Sequence, residues 1–213
     1  MDFEVQPGEF VALLGPNGAG KTTFLRILAS LSKPSLGEVT VAGYKLPGEA
    51  AQIRARLVVV SHLPLLYGDL TADENLRFYA RMYAIANPEA RITAVLEMIG
   101  LENRRRDLVR TFSRGMQQRL AIGRAVLHDP QIMLFDEPYT GLDQDASSML
   151  DDVLKTVAAQ GRTVVMTSHD LARAEDLATR FDILSRGVIA ASATRRQLKK
   201  SNLLDFYKRA LVN

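Results

Sequence analysis

The chain has 213 residues, 47% of them hydrophobic and 24% charged, which is ordinary globular composition and excludes wholesale disorder. It has no cysteine, which excludes disulfides and thiolate metal sites and fits a reducing compartment. A net charge of +3 is too small to argue for a nucleic-acid partner, and no apolar run approaches the roughly 18 residues that span a bilayer. The opening MDFEVQPGEF carries acids and no apolar stretch, so it does not read as a signal peptide. The expectation is a soluble, cytoplasmic chain that reaches a membrane only through another protein.

In chain order, Phe10–Leu14 is an apolar run that enters Gly-Pro-Asn-Gly, which predicts a buried strand leading into a loop. Thr22–Leu31 reads as a helix, and Glu38–Val41 and Leu57–Val60 read as strands. From Ala72 to Ile99 the period turns helical, with Leu76, Tyr79, Ala80 and Tyr83 on one stripe and a break at Asn87-Pro88. That stripe reads as packing. A further helix is expected over about Arg114–Leu127. Strands at Ile132–Phe135, Thr163–Thr167 and Asp182–Leu184 then alternate with helices at Asp145–Ala159 and Leu171–Ala178, and a last helix is expected over Leu203–Leu211. Apolar strands alternating with helices predict an α/β fold with a parallel sheet covered on both faces. The helices of residues 72–127 interrupt that alternation and are expected to form a lobe. Two basic clusters, at 103–110 and 195–200, read first as solvated faces and second as contacts for an anionic membrane surface or an acidic partner.

Gly15-Pro16-Asn17-Gly18-Ala19-Gly20-Lys21-Thr22 matches the phosphate-binding loop pattern G-x-x-x-x-G-K-[ST], between a strand and a helix. The glycines let successive backbone N–H groups face one anion, and the helix start adds partial positive charge. This predicts Lys21 at the β- and γ-phosphates and Thr22 on Mg²⁺. Such a loop needs a carboxylate at the end of another buried strand. Ile132–Phe135 followed by Asp136-Glu137 supplies two, Asp136 for the metal's hydration shell and Glu137 as general base toward the attacking water.

FSRGMQQRL, residues 112–120, looks catalytically empty, yet Ser113 reads as the N-cap of a helix whose start is a second anion site. One phosphate loop does not need it; two copies docked head to tail would. At these motifs the chain resembles the ATP-binding subunits of ABC transporters, over essentially its whole length. The family signature LSGGQ is matched by Phe112-Ser113-Arg114-Gly115-Met116, with the serine and the second glycine kept. Arg114 in place of a glycine could clash or could add charge near the phosphate.

The resemblance implies an ABC-type phosphate-loop fold, with a mostly parallel core over about residues 1–70 and 129–213, a β-rich edge, and a helical subdomain over about 71–128. It implies ATP and Mg²⁺ as cofactors, with nucleotide contacts by Gly15, Pro16, Asn17, Gly18, Ala19, Gly20, Lys21, Thr22 and Thr23. Thr22 and Asp136 would serve the metal, and Lys21, Glu137 and His169 the chemistry. Ser113, Arg114, Gly115 and Met116 would reach the nucleotide of a second copy, and Asp143 of Thr140-Gly141-Leu142-Asp143 would organise the dimer interface. His169 of Thr167-Ser168-His169-Asp170 resembles the switch histidine, whereas His128 has no such context and reads as structural. His62 stands where the family carries its Q-loop glutamine, which introduces a titratable group there. The implied partners are ATP, a second copy and integral membrane transporter subunits at the cytoplasmic face of the cell membrane, with no nucleic acid and no direct insertion. Family members carry a strand and an adenine-stacking aromatic ahead of the segment like Phe3–Phe10, so either an earlier start or loosely held adenine is expected.

A finer resemblance, carried by His62, Leu76-Arg77-Phe78-Tyr79 and Asp136–Asp143, is to the haem-exporter branch of the family that serves cytochrome c maturation. The alternatives are an exporter ATPase for another substrate, a soluble or regulatory ABC-type ATPase, and a small-molecule kinase, which would need neither Glu137 nor the signature helix.

Overall fold

The structure, a computed structural model, describes residues 2–61, 64–198 and 202–212. Phe10–Leu14 forms β1, and all five residues are buried, as an unbroken apolar run requires of a strand covered on both faces. β1 lies between two parallel neighbours, β6 (Thr163–Ser168) and β7 (Arg180–Ser185). β5 (Ile132–Asp136) pairs in parallel with the far side of β6, and β4 (Leu57–Val60) lies beyond it. β8 (Val188–Thr194) completes the sheet in the order β4-β5-β6-β1-β7-β8 and runs antiparallel to β7. A separate two-stranded antiparallel sheet pairs β2 (Thr40–Val41) with β3 (Tyr44–Lys45). The fold is α/β, a mostly parallel sheet with an antiparallel, β-rich edge.

The chain divides into two compact units. The first comprises Met1–Val59, Gln131–Pro138 and Val157–Asn213. It holds α1 (Lys21–Leu28), α2 (Ala50–Arg54), α7 (Leu171–Leu177), α8 (Arg195–Leu198) and α9 (Leu203–Val212). Its core joins Leu13, Leu25, Leu57, Leu134, Val165 and Leu184, with Phe3 meeting Phe24 edge-on at 4.8 Å. The second comprises Val60–Pro130 and Tyr139–Thr156. It holds α3 (Ala72–Met82), α4 (Pro88–Met98), α5 (Arg114–Val126) and most of α6 (Gln144–Ala159).

Several expected bounds shift for local reasons. α1 stops at Leu28 because Ser30 turns left-handed (φ 59°), so Leu31 lies outside the helix and 59% exposed. β2 is shorter than Glu38–Val41. β8 was not anticipated: its residues alternate in burial and include three alanines, so its apolar content is thin. The signal for it was Arg186-Gly187, both left-handed (φ 50° and 79°), a two-residue turn that folds β7 and β8 into a hairpin.

In the second unit, α3 begins with a full capping box, Thr71 Oγ1 accepting from the Glu74 N–H and Glu74 accepting from the Thr71 N–H. Pro88 opens α4 at a position that needs no N–H. Leu76 and Ala80 are buried as the stripe predicted, and Asn75 is buried with them. The Asn75 amide donates to Tyr67 O and Thr71 O, and its carbonyl accepts from the Tyr67 N–H, so it ties the preceding loop to the helix.

Candidate nucleotide site

Register assembles the first half of the site. Leu14 of β1 pairs with Ser168 of β6, and Asp136 of β5 pairs with Thr167. The residues that leave the strands next, Gly15, His169 and Glu137, therefore emerge together at the carboxyl edge of the sheet, where α/β folds place their ligands. Gly15 is required there by space, because a Cβ on it would lie 2.2 Å from the Leu184 carbonyl oxygen. Gly18 and Gly20 are left-handed (φ 79° and 105°), and Gly20 is the N-cap of α1. Pro16, Asn17, Gly18, Thr22 and Thr23 are exposed, whereas Ala19 is buried and its carbonyl accepts from the Gly187 N–H of the β7–β8 turn.

Lys21 is 7% exposed. Its ammonium donates to Gly15 O at 2.8 Å and lies 3.6 Å from Glu137 Oε1. The other Glu137 oxygen lies 2.7 Å from His169 Nδ1. Glu137 itself sits at φ 49°, a conformation that costs a side-chain-bearing residue energy and collects at functional positions. Thr22 Oγ1 donates to Asp136 Oδ1 at 3.1 Å. These two hard oxygen donors, one neutral and one carboxylate, fit Mg²⁺. Lys21, Thr22, Asp136, Glu137 and His169 thus form one continuous cluster in the first unit. Sequence reasoning missed Thr167, whose hydroxyl lies inside that cluster; as one more β-branched residue in a strand it gave no signal.

The second unit holds the signature segment. Ser113 caps α5, its Oγ accepting from the Met116 N–H at 3.2 Å. Arg114 is exposed and lines a cleft with Gln117, Gln118, Thr140 and Leu142. Gly115 is buried, and a Cβ there would lie 2.9 Å from Asp143 Oδ2. Asp143 Oδ1 accepts from the Ala146 N–H at 2.8 Å, which caps the start of α6. Gly115 of the signature segment and Asp143 are therefore neighbours. His62 lies outside the described residues.

The basic cluster at 103–110 is largely neutralised within the second unit. Arg104 pairs with Asp107 at 2.6 Å, Arg105 with Asp73, and Arg110 with Asp69 at 3.2 Å. Burial works against the Asp73 carboxylate, but hydrogen bonds and charge from Arg77 and Arg105 outweigh it and hold the carboxyl below its ordinary range. In the second basic cluster Arg195 closes the end of α7, donating to Ala178 O at 3.0 Å. His128 stacks on Tyr83 with ring centroids 3.8 Å apart and planes 7° apart, the structural place its sequence context implied.

The family model for ABC transporters matches residues 1–140. The chain belongs to the ABC transporter family. The chain is similar to the linearmycin resistance ATP-binding protein of Bacillus subtilis strain 168, 37% identical over 93% of this chain and 64% of the relative. The Nod factor export ATP-binding protein I of Cupriavidus pinatubonensis is 40% identical over 88% of this chain and 58% of the relative. The chain thus spans less than two thirds of the length of these curated relatives. Among solved structures, an ATP-binding subunit of an ABC transporter aligns with a TM-score of 0.88 at 33% identity, over 99% of this chain and 91% of that one. A dimeric ATP-binding cassette in a post-hydrolysis state, bound to ADP and Pi, aligns with a TM-score of 0.82 at 30% identity, over 91% of this chain and 88% of the other. Among the described residues, no helix is long and apolar enough to cross a membrane.

Proposed function

We propose that this chain binds and hydrolyses ATP to drive an ABC exporter. The observation that carries the reading is the cluster of Lys21, Thr22, Asp136, Glu137 and His169 on one sheet edge. Backbone N–H groups at the start of α1 would hold the phosphates, and Lys21 Nζ would exchange the Gly15 carbonyl for phosphate oxygen. Thr22 and Asp136 would hold Mg²⁺, which when bound supplies neutralisation of the β- and γ-phosphate charge. Glu137 would take a proton from the attacking water as the water oxygen bonds to the γ-phosphorus and the bond from the β–γ bridging oxygen breaks, releasing ADP and inorganic phosphate. His169 Nδ1 orients that carboxylate.

Two copies would enclose two ATP molecules, with Ser113, Arg114, Gly115 and Met116 of one copy at the γ-phosphate held by the other. Asp143, packed against Gly115, would fix that face. The dimeric cassette with ADP and Pi supports this arrangement. Integral membrane subunits at the cytoplasmic face would take up the closing motion.

The haem-exporter reading is narrowed. It rests on residue resemblance alone, and His62, one of its supports, lies outside the described residues. The named relatives concern Nod factor export and linearmycin resistance, which supports an exporter ATPase without fixing the cargo.

The test is Glu137→Gln. ATP binding is expected to persist while hydrolysis falls by roughly 100-fold or more, the usual reach of a general base. Light scattering should show a shift from monomer to dimer only with Mg-ATP. Unchanged turnover in this variant would overturn the reading.

A further inference from the structure

Thr167 is the last residue but one of β6, in a strand that otherwise reads Val164-Val165-Met166 ahead of it, and it is fully buried. A hydroxyl at such a place is costly unless it is bonded. Here it sits between the two acids of the site. Thr167 Oγ1 lies 2.8 Å from Asp136 Oδ1 and 3.4 Å from Phe135 O, and it accepts from the Glu137 N–H at 2.9 Å. A threonine hydroxyl has one proton to give. The shorter contact, to the carboxylate, takes it, because charge-assisted bonds are the stronger ones. One oxygen therefore donates to the carboxylate proposed to serve Mg²⁺ and accepts from the backbone of the proposed general base.

The geometry around it sharpens the point. Asp136 Oδ1 also accepts from Thr22 Oγ1 at 3.1 Å, so two threonine hydroxyls hold the same oxygen from the phosphate loop and from β6. Oxygen Oδ1 is thereby fixed in direction. Glu137 leaves the strand in the left-handed conformation (φ 49°), which L side chains rarely adopt, and its N–H is the group that Thr167 accepts from. Such a backbone persists only where its surroundings over-determine it. The anchor comes from the neighbouring strand, in direct register with Asp136.

We infer that Thr167 is a positioning residue that couples the metal side of the site to the water side through its single hydroxyl. Its role requires no direct contact with phosphate or water. It sets the direction of Asp136 Oδ1 and the backbone from which the Glu137 carboxylate projects. The inference rests on the nucleotide-site reading above, and it makes Thr167 unlike its apolar strand neighbours in one testable respect: the oxygen matters and the methyl group does not.

The experiment compares Thr167→Val, which keeps the shape and removes the hydroxyl, with Thr167→Ser, which keeps the hydroxyl and removes the methyl. In the full chain, ATP binding is titrated over a Mg²⁺ series, ATPase rates are measured, and amide hydrogen exchange is read at Glu137 with no nucleotide added. Thr167→Val is expected to need about tenfold more Mg²⁺ for half-maximal ATP binding and to lose about 10- to 100-fold in rate, the range seen when a partner of a metal ligand is removed. Its Glu137 amide should exchange faster. Thr167→Ser should stay within about threefold of the parent in all three. The opposite order, with valine like the parent and serine impaired, would mean that the side chain merely fills space and would overturn the inference. If the parent chain neither binds nor hydrolyses ATP, the functional reading fails first, and the exchange at Glu137 still decides whether Thr167 holds that backbone.

Discussion

The starts of α1 and α5 look alike in sequence and behave differently in structure. α1 has Gly20 as its N-cap and α5 has Gly115 in its first turn, and neither helix carries an acid in that turn. α1 opens from Gly20, which offers no side-chain cap. α5 opens from Ser113, whose hydroxyl already satisfies the Met116 N–H. α3, by contrast, uses Asp73, Glu74 and a full capping box. A helix start without acid or cap leaves its first donors open to an external group, while a capped start satisfies one donor by itself. The α1 start is therefore free to take the external anion proposed for it. The α5 start is capped without one, and the phosphate proposed to reach it would share donors with Ser113.

The strongest way to break this contrast is Gly15→Ala. The new Cβ would lie 2.2 Å from a backbone carbonyl that cannot swing aside, Leu184 O. Overpacking of this kind costs about 2–3 kcal/mol. We expect a lower urea midpoint and loss of ATP binding together. Parental stability in this variant would mean that the loop and β7 are not held as closely as the geometry requires.

Gly115→Ala probes the α5 start at smaller scale. Its Cβ would meet a side chain, Asp143 Oδ2 at 2.9 Å, which can move. Displacing Asp143 releases its bond to the Ala146 N–H, so we expect a loss of about 1 kcal/mol, the value of one N-cap. Combining it with Asp143→Ala should cost less than the sum of the single changes, because the clash and the cap share one carboxylate. Full additivity would separate the two residues.

Ser113→Ala should be milder for the fold, about 1 kcal/mol or below, since only one cap bond is lost. Its use lies in separating the two helix starts. ATP binding to a single copy should be unchanged, while Mg-ATP-dependent dimerisation in the Glu137→Gln background should weaken. Undiminished dimerisation would leave the α5 start a capped helix end and nothing more.

How much of this was legible follows from how local each signal is. The phosphate loop was readable because its turn, glycines and helix start lie within eight residues. Asp136 and Glu137 were readable because acids follow four apolar positions. Thr167 was not, because its meaning depends on register with β5, and a threonine at a strand end is unremarkable by composition. Asn75 was hidden in the same way, as a polar residue within a helical stripe that ties down the loop before it. β8 was missed because an edge strand needs little apolar content and its alternation was carried by alanines. The finer family branch was read from a few residues of the helical segment and the strand exit, which describe the motor. Those residues carry no information about cargo.

The smallest effect at neutral pH, and the one most confined to the second unit, concerns His128. Burial pushes its imidazole down to about 4, with Arg124 and Arg91 adding to the shift and Asp129 opposing it. Among the described residues neither ring nitrogen has a hydrogen-bond partner, and the ring instead lies flat on Tyr83. The neutral ring is thus favoured in the fold, while the unfolded chain takes up a proton near 6.5. The unfolded state binds more protons across that interval, so stability falls as pH drops from about 6.5 toward 4. Asp73 acts lower down: its contribution is present above its ordinary 3.8 and is lost below it. His128→Phe keeps an aromatic face for Tyr83 and removes the titration. Urea midpoints of the variant and parent should therefore agree near neutrality and diverge between pH 6.5 and 4, with the variant the more stable. Parallel curves over that interval would mean that the imidazole is protonated in place, and that the stack on Tyr83 tolerates a cation beside Arg124.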